Sequence, residues 1–246
     1  MIFAAGLGTR LGRITETCPK ALVEVGGMPM LGSVLRKVAE AGATAAVVNV
    51  HHHADMVKEY LQKFSAGIPV EVSDETDLLL DTGGGVAKAA PMLRRMLDAD
   101  RAVLLHNADI LTDFPIRPML EAHIASGADA TLLTSSVRES SRQLLFSAEG
   151  RLEGWRNCRT GEVKGREAPR AMAFGGVHII GTRVLDALEA YSAAHGKVFS
   201  ITPFYVDNHD SLDIRAYEPE DDYRWIDIGR PESLARAREL FGPPES

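Results

Sequence analysis

The chain has 246 residues, 45% hydrophobic and 25% charged, enough apolar surface for one substantial core with at most a small annex. A formal net charge of −7 argues against nucleic-acid binding, which draws its affinity from cationic surfaces set against many phosphates. No apolar run approaches the ~20 residues needed to cross a bilayer, and the opening Met1-Ile2-Phe3-Ala4-Ala5-Gly6 lacks the basic segment of a secretory signal, so a cytoplasmic protein with no membrane partner is expected.

From the N-terminus, short runs rich in Val, Leu and Ile alternate with longer amphipathic stretches, the pattern of parallel strands joined by crossover helices. Strands are expected near residues 1–4, 45–50, 70–73, 102–106 and 130–134, and helices near 31–41, 54–64, 86–97 and 116–126. The opening strand is short because the Gly-rich turn begins at Gly6, and a few residues upstream of Met1 are expected. After about Ser135 the pattern changes to strands near 144–146, 152–155, 173–180 and 212–217, separated by polar turns. Residues 157–169 read as a hairpin tip or mobile loop, and 231–240 as a closing helix with Pro231 in its first turn. Cys18 and Cys158 lack the spacing of a zinc site or disulfide framework and are read as free thiols.

The densest motif is Ala4-Ala5-Gly6-Leu7-Gly8-Thr9-Arg10-Leu11, a strand followed by a Gly-rich turn whose backbone N–H groups can approach phosphate oxygens. A dinucleotide fingerprint would need Gly where Leu11 stands, and a P-loop would need Gly-Lys-Ser/Thr, so both readings fail on residues. The cations that follow, Arg10 and then Lys20 in Pro19-Lys20, suit a triphosphate. Three further segments carry chemistry. Asp81-Thr82-Gly83-Gly84-Gly85 precedes a helical stretch and reads as a close approach to a base or as a helix cap. Val103-Leu104-Leu105-His106-Asn107-Ala108-Asp109 is an apolar strand ending in a carboxylate, where ligands sit in open α/β sheets. Trp225-Ile226-Asp227-Ile228-Gly229 places a second acid between apolar residues. Either acid alone reads equally as a turn residue, an ion-pair partner or a metal ligand; Mg²⁺ needs only one or two carboxylates, a requirement that Asp109 with Asp227 would meet. Phe174-Gly175-Gly176-Val177 reads as a strand bulge or a close approach to a ligand. His51-His52-His53 reads as a strand-to-helix turn, since consecutive residues on extended chain diverge, with Asn49 or His51 near the ligand.

Gly6-Leu7-Gly8-Thr9-Arg10-Leu11 with Pro19-Lys20 resembles the signature of the sugar nucleotidyltransferases, and Trp-x-Asp-x-Gly at 225–229 matches their second motif at every fixed position. The resemblance implies an α/β, Rossmann-like mixed and mainly parallel sheet flanked by helices, in a single domain over 1–246. Within it, 1–135 would bind nucleotide, and a small β-rich part at 136–246 would bind sugar and supply the second metal ligand. It implies that Ala5, Gly6, Gly8, Thr9 and Arg10 wrap the β- and γ-phosphates and that Lys20 meets the α-phosphate. Asp81, Thr82, Gly83 and Gly84 would face the nucleobase, Asn107, Gly175 and Gly176 the sugar, and Asp109 and Asp227 would hold Mg²⁺. The expected partners are a nucleoside triphosphate and a sugar 1-phosphate, in a monomer or homodimer. The run Leu79–Gly85 resembles the Glu-Thr-Gly-Gly-Gly version found in N-acetylmuramate-1-phosphate uridylyltransferases, which favours UTP with N-acetylmuramic acid 1-phosphate, although Asp81 stands where they have Glu. Mannose-1-phosphate guanylyltransferase, a phosphocholine-type cytidylyltransferase and a silent nucleotide-sugar sensor are the alternatives. The usual Glu-Lys-Pro before the sugar strand is replaced by Gly154-Trp155-Arg156-Asn157, and the chain ends without the β-helical extension of longer relatives, so a single activity is expected.

Overall fold

Residues 1–97 and 102–242 are described in a computed structural model. The first stretch runs through β1 (Ile2–Phe3), α1 (Ile14–Thr17), β2 (Glu24–Val25), β3 (Met28–Pro29), α2 (Met30–Glu40), β4 (Ala46–Val50), α3 (Ala54–Lys63) and β5 (Val70–Asp74). It continues through α4 (Asp81–Met96), β6 (Val103–Asn107), β7 (Ile110–Thr112), α5 (Ile116–Ser126), β8 (Ala130–Ser135), β9 (Arg142–Phe146), β10 (Leu152–Asn157) and β11 (Val163–Gly165). Last come β12 (Arg170–Ile180), α6 (Thr182–His195), α7 (Ile201–Asp207), β13 (Ile214–Tyr217), β14 (Trp225–Asp227) and α8 (Pro231–Phe241). The chain groups into two compact units, neither of them contiguous. The first holds Met1–Leu79, His106–Ile116 and the described residues from Asp221 onward, and the second holds the described residues of Leu80–Leu105 with Arg117–Glu220.

In the first unit β1 lies between β4 and the end of β6, with β5 beyond β4, and every pairing is parallel. All five residues of β4, Ala-Val-Val-Asn-Val, are buried, as a parallel strand covered on both faces requires. Helix α2 presents Leu31, Val34, Leu35 and Val38 to the core at helical spacing. Because these strands are parallel, the chain leaves them all at one edge, at Ala4, His51, Glu75 and Ala108. A short antiparallel pair, β7 with β14, sets Asp227 opposite Ile110. It is packed by Leu11, Val23, Met30, Leu111, Ile226, Ile228 and Leu234, so α8 closes a core begun by the first loop.

In the second unit β11, β10, β9, β12 and β8 pair antiparallel in that order, and β13 joins β8 in parallel. The sheet is thus mixed, parallel in the first unit and largely antiparallel in the second. The expected bulge at Gly175–Gly176 is present, because the four residue steps of β12 from Phe174 to His178 are matched by only two steps of β8, from Thr134 to Leu132. The hairpin reading of 157–169 also holds, with Asn157 N–H donating to the Glu162 carbonyl at 2.8 Å between β10 and β11. Two elements correct the expectation of strands and turns alone. Helices α6 and α7 bury Val184, Leu185 and Leu188, and Ile201, Phe204, Tyr205 and Val206. Helix α4 also starts at Asp81 rather than near 86, so the glycine cluster is its first turn and not a loop before it.

Candidate nucleotidyl-transfer site

The signature loop is held at both ends. At its entry Ala4 N–H donates to Asn49 Oδ1 at 2.8 Å. At its exit Thr15 Oγ1 lies 3.0 Å from the Gly8 carbonyl and 3.1 Å from that of Gly12. Between them the side chain of Leu11 is buried and its N–H closes a turn onto the Gly8 carbonyl at 2.9 Å. Gly8 is left-handed, at φ 65°, and a Cβ there would stand 2.7 Å from Thr15 Cγ2 and 3.1 Å from Lys20 Cβ, so glycine is required on both counts. Gly6 differs, since a Cβ on it would stand in open space. Among the described residues the N–H groups of Gly6, Leu7 and Gly8 have no protein acceptor, and Gly6, Leu7 and Thr9 are exposed. Ala5, by contrast, is buried at the start of the loop.

Lys20 opens the tight turn Lys20–Leu22 and is buried, an unusual place for a lysine unless it is paired. Its Nζ bonds Asp109 Oδ2 and lies 3.5 Å from Asp227 Oδ1. The two carboxylates, 118 residues apart in sequence, meet through the β7–β14 pair and through Ile228 N–H donating to the Asp109 carbonyl at 3.0 Å. Gly229 N–H fixes Asp227 Oδ1 at 2.6 Å. A Cβ on Gly229 would stand 2.8 Å from an Arg10 terminal nitrogen, 2.8 Å from Asp227 Oδ1 and 3.2 Å from Lys20 Nζ, so Arg10, Lys20 and Asp227 crowd the same spot. Burial pushes the Asp109 carboxyl above its ordinary range. Lys20 opposes that shift, and the like charge of Asp227 adds to it.

Asn107 is the last residue of β6, just before the turn that carries Asp109. Its carbonyl accepts from His106 Nδ1 at 2.8 Å. His106 is buried with Nε2 unpartnered, and burial, reinforced by the Lys37 cation, lowers its pKa to about 4.

The structure therefore gathers Gly6, Gly8, Thr9, Arg10, Lys20, Asn107, Asp109 and Asp227 in the first unit, while Asp81, Thr82, Gly83, Gly84, Gly175 and Gly176 belong to the second. There Asp81 is left-handed, at φ 59°, and its carboxylate accepts from Thr82 N–H at 2.6 Å. The N–H groups of Gly83 and Gly84 both donate to the Phe199 carbonyl, at 2.9 and 3.1 Å. A Cβ on Gly83 would run into the Phe199 ring, and one on Gly84 into the Lys197 carbonyl, so these glycines admit the 197–199 segment. Gly175 lies against Leu133, and Gly176 carries the bulge at φ 71°. Thr15 and Gly229 were not singled out from sequence. Gly229 had a signal as the fixed glycine of its motif, and Thr15 had none.

A family model described as nucleotidyl transferase matches residues 1–241. The chain is similar to the mannose-1-phosphate guanyltransferases of Debaryomyces hansenii, at 27% identity, and Schizosaccharomyces pombe, at 28%, over 98% of its own length and 64% and 63% of theirs. It thus spans less than two thirds of the length of these curated relatives. Among solved structures it is similar to a putative glucose-1-phosphate thymidylyltransferase from Bacillus anthracis, with TM-score 0.78 and 21% identity over 100% of this chain and 95% of that one. HddC from Yersinia pseudotuberculosis complexed with GMP-PN gives TM-score 0.73 and 20% identity over 98% of this chain and 97% of its own, a likeness of fold. With the family model covering nearly the whole sequence and its motifs folded into one charged centre, the chain belongs to the nucleotidyl transferase family.

Proposed function

We propose that the chain transfers a nucleotidyl group from a nucleoside triphosphate to a sugar 1-phosphate with release of pyrophosphate. The observation that carries this reading is the convergence of Arg10, Lys20, Asp109 and Asp227 beside a glycine loop with free N–H groups. The loop and Arg10 hold the β- and γ-phosphates, and Lys20 meets the α-phosphate, where charge builds up during transfer. The attacking sugar-phosphate oxygen is already anionic and needs no general base. Its bond to the α-phosphorus forms in line as the bond to the bridging oxygen of pyrophosphate breaks, and Arg10 accompanies the leaving group. Catalysis then rests on position and charge.

The donor set fits Mg²⁺, because two oxygen ligands from Asp109 and Asp227 already converge on one cation, the Lys20 ammonium. When bound there, Mg²⁺ would screen the phosphate charges and orient the α-phosphoryl group. Among the described residues no cluster of three or more His, Cys, Asp or Glu competes for that role, and no helix is long and apolar enough to cross a membrane.

For substrates, the names of the relatives matched over 98% of the chain support GTP with mannose 1-phosphate. UTP with N-acetylmuramic acid 1-phosphate is the second reading, supported by the run Leu79–Gly85. The test is pyrophosphate release and product mass across four nucleoside triphosphates with mannose, N-acetylmuramic acid and glucose 1-phosphates and phosphocholine, in Mg²⁺. GDP-mannose is the expected product, and a UDP-sugar would select the second reading. Nucleotide binding without product from any pair would overturn the enzymatic reading in favour of a sensor.

A further inference from the structure

We infer that His52 and His53 are positioning residues for the triphosphate loop, acting through the carbonyl of Thr15. The inference rests on the nucleotidyl-transfer reading only for what the loop binds.

The three consecutive histidines do not share one target. His51 Nδ1 lies 2.6 Å from the Glu75 carbonyl oxygen, whereas His52 Nε2 and His53 Nε2 lie 3.2 and 3.3 Å from the Thr15 carbonyl oxygen. Divergence was expected of consecutive side chains on extended chain, and it fails for this pair because His53 is left-handed, at φ 51° and ψ 39°. That turn brings the two rings to 3.9 Å between centroids. A carbonyl only accepts, so both Nε2 atoms carry hydrogen and donate.

Thr15 needs those donors. It sits in the one-turn helix α1, and the residue four positions on, which would supply an N–H to its carbonyl, is Pro19, which has none. The histidines take the place of the missing donor. Through Thr15 Oγ1 the same residue is bonded to the carbonyls of Gly8 and Gly12, so the exit of the loop hangs on this contact. Its entry hangs on the same segment, since Asn49 Oδ1 accepts from Ala4 N–H while Asn49 Nδ2 donates to Glu75 Oε1 at 2.8 Å, and both side chains are buried. Residues 49–53 therefore clasp the loop at both ends. Thr15 and Lys20 are also the two neighbours a Cβ on Gly8 would strike, so a shift of Thr15 reaches the lysine.

The test compares the double variant His52→Met/His53→Met, which keeps bulk and loses both donors, with His52→Gln/His53→Gln, which keeps an N–H at a similar reach. Two readouts are taken: amide hydrogen exchange of residues 6–15 without ligand, and calorimetric affinity for GTP and UTP together with the split between kcat and KM. In the Met variant we expect loop exchange to rise about 10-fold or more. Triphosphate affinity and KM should weaken about 10-fold, the net effect of losing two part-buried hydrogen bonds, with kcat within about 3-fold. The Gln variant should return both to within about 3-fold of wild type. If the double Met variant does not fold, the single His52→Met variant, which spares the left-handed residue, should show an intermediate rise. Unchanged loop exchange, or loss in the Gln variant equal to that in the Met variant, overturns the inference. A wild type that binds neither triphosphate overturns the functional reading instead, and the exchange experiment still decides whether the clasp exists.

Discussion

Lys20 stands with its ammonium bonded to Asp109 and within 3.5 Å of Asp227, so on the proposed reading it would be both the counter-charge of the metal-binding pair and the cation nearest the transferred phosphate. Asp227→Asn should leave the fold intact, because the side chain is 37% exposed, and should lower turnover by about 10²-fold with a higher Mg²⁺ requirement. Titrating Mg²⁺ against initial rate checks this, and an unchanged Mg²⁺ curve would remove Asp227 from the metal site. His106 makes a separate prediction about pH. Its folded pKa, about 4, lies below the ordinary value of 6.5, so the unfolded chain binds the extra proton first as pH falls. The stability of the neutral, buried imidazole is therefore fully present above pH 6.5 and is lost as pH falls towards 4. His106→Gln should remove roughly 2 kcal/mol of the difference in unfolding free energy between pH 7.5 and pH 5, measured by urea denaturation. Lys20, Asp109 and Asp227 were legible in the sequence because family motifs frame them, whereas His106 was not singled out. Thr15 was not either, since its role comes from where Pro19, His52 and His53 lie in three dimensions.

Among the elements, the glycines at the start of α4 show how one motif admits two physical reasons. From sequence, Gly83 and Gly84 read as an approach path for a base, and in the fold their N–H groups and missing side chains accommodate Phe199 and Lys197. Gly84→Ala should cost about 1–3 kcal/mol, because the obstacle is a backbone carbonyl that cannot rotate away. A thermal melt checks it, and an unchanged midpoint would mean that the 197–199 segment gives way. The parallel strands of the first unit were legible because 45–50 is a mainly apolar run of strand length and 70–73 alternates Val with polar residues. Helices α6 and α7 were not read, although Thr182–His195 is rich in Ala and Leu with a buried stripe at Val184, Leu185 and Leu188. The pair β7 and β14 is only three residues long on each side, too short for any periodic pattern, yet it brings Asp109 and Asp227 together.

Across the molecule, sequence order and spatial grouping differ. The expected division near residue 135 follows the change of pattern along the chain, whereas the compact units are interleaved, with residues from Asp221 onward rejoining the first unit. That return explains why the two sharpest motifs stand at opposite ends of the sequence and still share one lysine. Family and fold class were legible because motifs and the alternation of strands and helices along the chain are local properties, while the path of the chain through the two units depends on packing that no local pattern carries. Metal dependence belongs to this scale as well. Removal of divalent cations by EDTA should abolish turnover, and Mg²⁺ should restore it, as followed by pyrophosphate release.

The most direct test of the charged centre is the rate of pyrophosphate release from Lys20→Met beside wild type, with the substrate pair found active, saturating Mg²⁺ and both proteins shown to be folded. A fall of about 10²–10³-fold is the predicted result. Turnover equal to wild type would contradict the account, because the cation placed between Asp109 and Asp227 would then have no part in the transfer.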